Sequence, residues 1–484
     1  MPRDKTASSD DHATDRPPVR RHDRDESDAI LGLWILTSPD LDKIGSCLIN
    51  DHVTQQQVGR GRTAHFRLHD DWLSRLHFEV GGNSDAKAPA SCTLRDLGTS
   101  NGTHVNGIRR AHAVLQPGDV VRAGATLFAY DWAMVPQDDV GLIGWSRELQ
   151  HVRSLALKLA GSDMPVVITG ETGVGKEIIA RAIHQRSDRK GQFLAINMAS
   201  LVPGLVGSQL FGHRRGAFSG AVTEQAGAFD VAHGGTLLLD EIGDMLPEIQ
   251  ASLLRVVQFG QSHRLGDPTP HDIDVRLITA TLRDLQESVG SGGFREDLYW
   301  RIAQGTIDIP PLRGRRIDIV PIFNHLLATT NTRWHRVLIE NNPAYNFEMA
   351  AAMEKLYLHS WPGNVRELEA EAKRFSQGVE DITARQPKSE IYDLCSFFDF
   401  DNEHLDPDRA WPTAQTQSSV PDAAYPKHLS VLEDADALER EIESQFEGNI
   451  RAFSRHFASL TGMKSDTVRR RVYRKLKARQ QIER

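Results

Sequence analysis

Pro165–Gln185 reads PVVITGETGVGKEIIARAIHQ, and this stretch decides the fold of the central part of the chain. PVVIT is a short apolar run closed by glycine, the pattern of a buried strand, while IIARAIHQ has helical spacing. Between them lie Gly170, Glu171, Thr172, Gly173, Val174, Gly175 and Lys176, the strand-to-helix context that a phosphate-binding loop requires. Glycines let backbone N–H groups close around phosphate oxygens, and the helix N-terminus adds a favourable partial charge. Lys176 is placed to neutralise the β- and γ-phosphates of ATP, and Glu177 stands where a hydroxyl residue usually follows the lysine.

Seventy residues or so further on, GGTLLLDEIGD places Asp240 and Glu241 at the end of a second apolar strand. One carboxylate there can hold Mg2+ while the other polarises an attacking water, so Asp240 is the expected metal ligand and Glu241 the expected catalytic acid-base group. Around these motifs, strand-like runs (FLAIN, VRLITAT) alternate with helix-length amphipathic stretches, which predicts an α/β parallel sheet over about 140–310. Beyond Pro310 the apolar pattern is helical only, which predicts a helical lid over 311–378.

Working outward, residues 29–137 carry short alternations broken by turn signals (HFRLHD, LHFEV, CTLRDL, LFAYDW), the signature of an all-β sandwich. Residues 1–28 are charged and without apolar periodicity and are expected to form a disordered tail, while 379–428, rich in Pro, Asp, Gln and Ser, read as a linker. The last unit, 429–484, is helical and ends strongly basic. Cys47, Cys92 and Cys395 are too scattered for a disulfide framework or a zinc site. No apolar run reaches the roughly 20 residues of a membrane span, so a cytoplasmic protein without membrane contact is expected. A net charge of -8 excludes a uniformly basic nucleic-acid binder but leaves room for a local basic patch.

GETGVGKE, LFGHRRGAFSGA, GGTLLLDEIGDM, GGFREDLYWRI, PPLRGRRIDI and WPGNVRELE together resemble the AAA+ domain of bacterial enhancer-binding proteins, the sigma-54 activators, over about residues 141–376. In that family the residue after the P-loop lysine is also glutamate. The resemblance implies that Asn197 switches the catalytic glutamate, that Arg295 and Arg301 are arginine fingers reaching a neighbouring subunit, and that Arg366 is the lid sensor. Arginine supplied in trans makes hydrolysis depend on a ring, typically a hexamer. The segment Gly216, Ala217, Phe218, Ser219, Gly220 and Ala221 resembles the loop that engages sigma-54, with serine in place of threonine. One position departs: where the family has asparagine in its first sensor, after the retained Thr281, this chain has Leu282. A leucine side chain cannot hydrogen-bond to phosphate or water, so reduced or differently coupled hydrolysis is expected.

QVGRGR, LSRLHFEV and RDLGTSNGTHVNG resemble a forkhead-associated (FHA) domain over about residues 30–135. The resemblance implies phosphothreonine recognition by Arg60, Ser74 and Asn101, with Arg75, Thr99 and Ser100 as neighbours and with Gly59 and His77 holding the loops. The phosphothreonine would belong to a partner or to the chain's own tail, where Thr6 and Thr14 are available. The C-terminal stretch, with Gly462 at a turn and Arg469, Arg470, Arg471, Arg474 and Lys475 on its last helix, resembles a Fis-type helix-turn-helix that binds double-stranded DNA. Together these imply an ATP-dependent activator of sigma-54 RNA polymerase under phosphothreonine control. The rival reading is a phosphopeptide-regulated DNA-binding protein whose weak motor uses ATP mainly for assembly.

Overall fold

The computed structural model describes residues 29–48, 55–82, 92–135, 141–330, 343–385 and Phe398. The expected tail and helix-turn-helix, including Arg469, Arg470, Arg471, Arg474 and Lys475, lie outside the described residues, as does most of the expected linker.

The N-terminal unit comprises β1 (Ile30–Thr37), β2 (Gln56–Gly59), β3 (Phe66–Arg67), β4 (Phe78–Gly82), β5 (Cys92–Asp96), β6 (Thr103–Val105), β7 (Ile108–Arg109), β8 (His112–Leu115), β9 (Asp119–Ala123) and β10 (Thr126–Ala133). They form two sheets, ordered β1-β10-β9-β6-β7 and β3-β2-β4-β5-β8, as a sandwich. Leu33, Ile35, Val58, Phe78, Val80, Leu94, Val121, Phe128 and Tyr130 fill the space between them. Strand alternation would leave the outer face of each sheet polar, but β9 is buried at all five of its positions. The outer face of the first sheet carries Trp34, Leu36, Val120, Leu127 and Ala129, which join the helical lid in one apolar cluster.

The central unit begins with α1 (Arg147–Ala160), whose cap Ser146 accepts from Leu149 N at 3.1 Å. It continues through β11 (Val166–Thr169), α2 (Lys176–Gln185), β12 (Phe193–Asn197), α3 (Val206–Phe211), α4 (Ala228–Val231), β13 (Thr236–Asp240), α5 (Pro247–Phe259), β14 (Gln261–Ser262), β15 (His271–Asp272), β16 (Arg276–Thr281), α6 (Leu285–Gly290), α7 (Glu296–Ile302) and β17 (Gly305–Asp308). The main sheet has the order β12-β13-β16-β11-β17, and every pair in it is parallel. Parallel sheets need both faces covered. Leu237 and Leu239 of β13 accordingly enter one core and Leu238 the other. The turns after β11 and β13 leave the same carboxyl edge of the sheet, the edge at which open α/β sheets bind ligands.

The lid is α8 (Ile319–Thr330), α9 (Pro343–Leu358) and α10 (Asn364–Arg385). The expected lid boundary at 378 is passed: α10 runs through Gly378 to Arg385. A glycine inside a helix costs only about 1 kcal/mol, less than the burial of Leu368, Ala372 and Phe375 returns. Phe398, within the stretch expected to be linker, is buried in the lid core and stacks on Phe375 with ring centroids 5.2 Å apart. Among the described residues no helix is long and apolar enough to cross a membrane.

Candidate functional site

The P-loop is shaped by three glycines in the left-handed region, Gly170, Gly173 and Gly175, with φ of 145, 80 and 108°. At Gly173 a Cβ would stand 2.4 Å from the Gly363 carbonyl, so only glycine lets the lid approach this closely. Lys176, the first residue of α2, is buried and its Nζ donates to the carbonyls of Gly170 (2.9 Å) and Glu171 (3.3 Å). The same ammonium lies 3.8 Å from Glu241 Oε1, which brings the two sequence motifs into one site. Glu177 points elsewhere and pairs with exposed Arg181 one turn along α2.

β13 ends at Asp240, and Glu241 follows in the left-handed conformation with φ 54°. That geometry costs a non-glycine residue roughly 1–3 kcal/mol and persists where surroundings fix it. Here the Glu241 N–H donates to Asp240 Oδ1 (3.1 Å) and the Leu282 N–H donates to Glu241 Oε2 (3.3 Å). Residue 282 therefore contributes through its backbone, while its side chain is 55 % exposed at the rim. Thr281 is buried, its Oγ1 accepting from Arg283 N at 2.9 Å. Asn197 is opposite Asp240 in the sheet register, but its Oδ1 accepts from Ala199 N, and no described bond joins it to Glu241. Asp240 offers hard carboxylate oxygens beside the P-loop, the donor type that Mg2+ takes, so the residues present fit that ion.

Across the cleft, Asn364 is buried with φ 53°. Its Nδ2 donates to Glu171 Oε2 and to the Thr172 carbonyl, each at 3.1 Å, while its Oδ1 accepts from Leu312 N at 2.8 Å. Arg313 grips Glu171 with both terminal nitrogens, and this guanidinium holds the Glu171 carboxyl down to about 2. Arg315 donates to the Val174 carbonyl (3.0 Å), and its neighbour Asp318, fully buried, accepts from Trp145 N, Ser146 N and Ser146 Oγ. Val365 N donates to the Gly173 carbonyl at 3.0 Å. Arg366 follows on the exposed side, its Cβ 3.0 Å from where a Gly173 Cβ would sit. Sequence reasoning passed over Asn364, Arg313, Arg315 and Asp318. The tolerance of asparagine for the left-handed region, directly after Gly363, was the available signal.

Arg295 and Arg301 are exposed on and before α7, Arg295 pairing with Asp297 at 2.7 Å and Arg301 donating to the Gln258 carbonyl at 3.5 Å. Neither makes a described bond to the nucleotide cradle. Gly216–Ala221 forms a compact loop closed by the Gly216 N to Ala221 O bond (2.8 Å) and by the His213–Gln225 bridge. The Phe218 ring lies edge-on to His213 at 5.0 Å, while Ser219 and Gly220 are exposed. This loop rests on the β14–β15 hairpin, which the sequence reading missed, through Arg214–Asp267 (2.7 Å) and Arg264–Glu224 (2.5 Å).

In the sandwich, Arg60 Nε donates to the Leu73 carbonyl and Asn101 Nδ2 to the Trp72 carbonyl, both at 2.7 Å. The Ser74 carbonyl accepts from Arg60 N (3.0 Å), and Arg75 and Ser100 are exposed beside it. Gly59 lets the two loops meet, since a Cβ there would be 2.4 Å from the Arg75 carbonyl. His77 is fully buried, and that burial lowers its pKa and keeps it neutral. Its Nδ1 accepts from Ser74 N, so Nε2 bears the proton and donates to the Gly102 carbonyl at 3.1 Å.

The chain matches the family described as Sigma-54 interaction domain over residues 142–308, the FHA domain over 57–124 and the AAA+ ATPase lid domain over 313–381. It is 42% identical over 264 residues to the DNA-binding transcriptional regulator NtrC of Rhizobium meliloti (strain 1021), a match covering 53% of each chain. It is 46% identical over 229 residues to the Nif-specific regulatory protein of Herbaspirillum seropedicae, covering 47% of this chain and 41% of that one. The chain thus spans about half the length of the curated relatives it matches. Among solved structures it is similar to NtrX from Brucella abortus in complex with ATP, at 27% identity and TM-score 0.43 over 69% of each chain. The chain carries a P-loop sigma-54 interaction domain of the AAA+ class, its AAA+ lid and an FHA domain. Its relatives include transcriptional regulators of the NtrC name.

Proposed function

We propose that this chain is an ATP-dependent activator of sigma-54 RNA polymerase: it binds upstream DNA, assembles into a ring, hydrolyses ATP between protomers and is governed by phosphothreonine recognition in its FHA domain. The observation that carries the reading is Lys176 and Glu241 meeting at 3.8 Å across the P-loop, while Arg295 and Arg301 sit exposed with no described bond to that site. Each protomer so holds one half of a site whose other half a neighbour would supply. On binding ATP, Lys176 exchanges the Gly170 and Glu171 carbonyls for phosphate oxygens. Glu241, steadied by the Leu282 N–H, orients and deprotonates the attacking water. Asp240 would hold Mg2+, which supplies positive charge to the phosphate oxygens. The neighbour's guanidiniums balance the charge that develops on the γ-phosphate.

The Gly216–Ala221 loop is the proposed contact to sigma-54, Arg60, Ser74, Arg75, Ser100 and Asn101 the phosphopeptide face, and Arg469–Arg471, Arg474 and Lys475 the DNA face; the protein works in the cytoplasm as a hexamer. Open-complex formation at the protein's own sigma-54 promoter tests the reading. It should require hydrolysable ATP and fail with Lys176→Ala. Promoter opening by the Lys176→Ala protein contradicts it. The exposed aliphatic side chain of Leu282 favours the second reading, a motor that uses ATP mainly for assembly. Specific hydrolysis that climbs steeply with protein concentration decides for the first.

A further inference from the structure

The outer face of the β1-β10-β9 sheet is apolar, and the lid covers it. At the centre of this contact Glu354 of α9 is fully buried, and both of its carboxylate oxygens take hydrogen bonds from the sandwich: Oε2 from Arg122 Nε at 2.6 Å and Oε1 from Gly107 N at 2.7 Å. A buried carboxylate whose partners all come from another domain specifies one docked arrangement, because separation would leave it stranded. At the edge of the contact, Phe347 of α9 lies 4.9 Å from the Trp72 ring and 5.6 Å from the Arg122 guanidinium.

Trp72 belongs to the loop that carries the expected phosphopeptide ligands. Asp70 pins that loop to the β9–β10 turn by accepting from Ala125 N (2.8 Å) and Thr126 Oγ1 (2.9 Å). Arg60 and Asn101, the residues expected to grip phosphate and peptide, are engaged in this state with the carbonyls of Leu73 and Trp72. From α9 the lid continues through buried Trp361 to Asn364 and Val365, which bond the P-loop.

We propose that the second face of the sandwich is a docking surface for the chain's own lid, and that a phosphothreonine peptide, by drawing Arg60 and Asn101 away from the Trp72 loop, loosens that dock and so frees the lid over the nucleotide site. The proposal rests on the phosphopeptide reading of the FHA domain. Linkage is reciprocal: the factor by which bound peptide weakens the dock is the factor by which the dock weakens peptide binding.

The test is hydrogen exchange on the full chain with a degenerate phosphothreonine peptide pool, its unphosphorylated twin as control. The expected result is protection over residues 70–75 together with faster exchange over 104–109 and 343–358. Glu354→Gln should reproduce the faster exchange without peptide and raise affinity for the phosphorylated pool by about fivefold or more. Phe347→Ala, at the half-buried rim, gives the same signs should Glu354→Gln fail to fold. Protection at 70–75 with unchanged exchange at 343–358 overturns the coupling and leaves phosphopeptide recognition standing. Absence of protection by any phosphorylated peptide overturns both.

Discussion

Leu282→Asn should make the motor faster. The side chain at 282 leaves the end of β16 at the rim of the site and is 55 % exposed, so the exchange opens no cavity and should move stability by no more than about 0.5 kcal/mol. The Leu282 N–H already donates to Glu241 Oε2 at 3.3 Å, which places the residue beside the proposed catalytic carboxylate. An asparagine amide there adds one hydrogen bond to a charged group, worth about 1.5–3 kcal/mol. Fixing its rotamer takes back roughly 0.5–1 kcal/mol. The net of about 0.5–2.5 kcal/mol, realised where charge develops, corresponds to a rise of roughly 2- to 70-fold in turnover. Steady-state ATP hydrolysis at saturating nucleotide and matched assembly reads this directly, with Leu282→Ala as the control that adds no donor. Turnover of Leu282→Asn within twofold of the parent, at unchanged melting temperature, refutes the idea that this position limits the chemistry.

Gly173→Ala should weaken ATP binding by tenfold or more in a fluorescent-nucleotide titration, because the left-handed φ and the Gly363 carbonyl both reject a Cβ; an unchanged Kd contradicts lid closure on the loop. The depressed Glu171 carboxyl contributes stability that is complete above about pH 4.5 and is lost as pH falls from there toward about 2. Because Glu171 is 41% exposed the effect is at most about 1 kcal/mol. Acid unfolding of Glu171→Gln should lack this component, and superimposable curves count against the Arg313 contact. Leu237→Ala, at a fully buried position of β13, should cost about 2–5 kcal/mol in urea unfolding.

What the sequence made legible was local. The P-loop, the acids ending β13 and the alternation of the sandwich each announce themselves within a dozen residues, because glycine spacing and apolar period report backbone geometry directly. The lid dock does not: the Glu354 bonds to Arg122 and Gly107 span 232 and 247 positions, and nothing near MEKLYL marks its glutamate for burial. The one hint lay in LGLWILT and TLFAY, where apolar residues occupy both parities of a strand, as they must when both faces are covered. At Leu282 the illegible part was the backbone, since side-chain reasoning cannot anticipate that its N–H would hold Glu241. Asn197, expected to switch the glutamate, pairs with Asp240 in the sheet register, and its oxygen caps its own turn, the usual competition between a short polar side chain and the nearest backbone.

The claim on which the account depends is that one protomer binds the triphosphate and the next supplies the arginine. Hydrolysis by an equimolar mixture of Lys176→Ala and Arg301→Ala chains measures it most directly. Each variant alone should be inactive, and random mixing should restore activity at roughly a quarter of the seams, where an intact P-loop meets an intact Arg301. Assemblies that form normally yet stay inactive in the mixture, or an Arg301→Ala chain that hydrolyses ATP unaided, would contradict it.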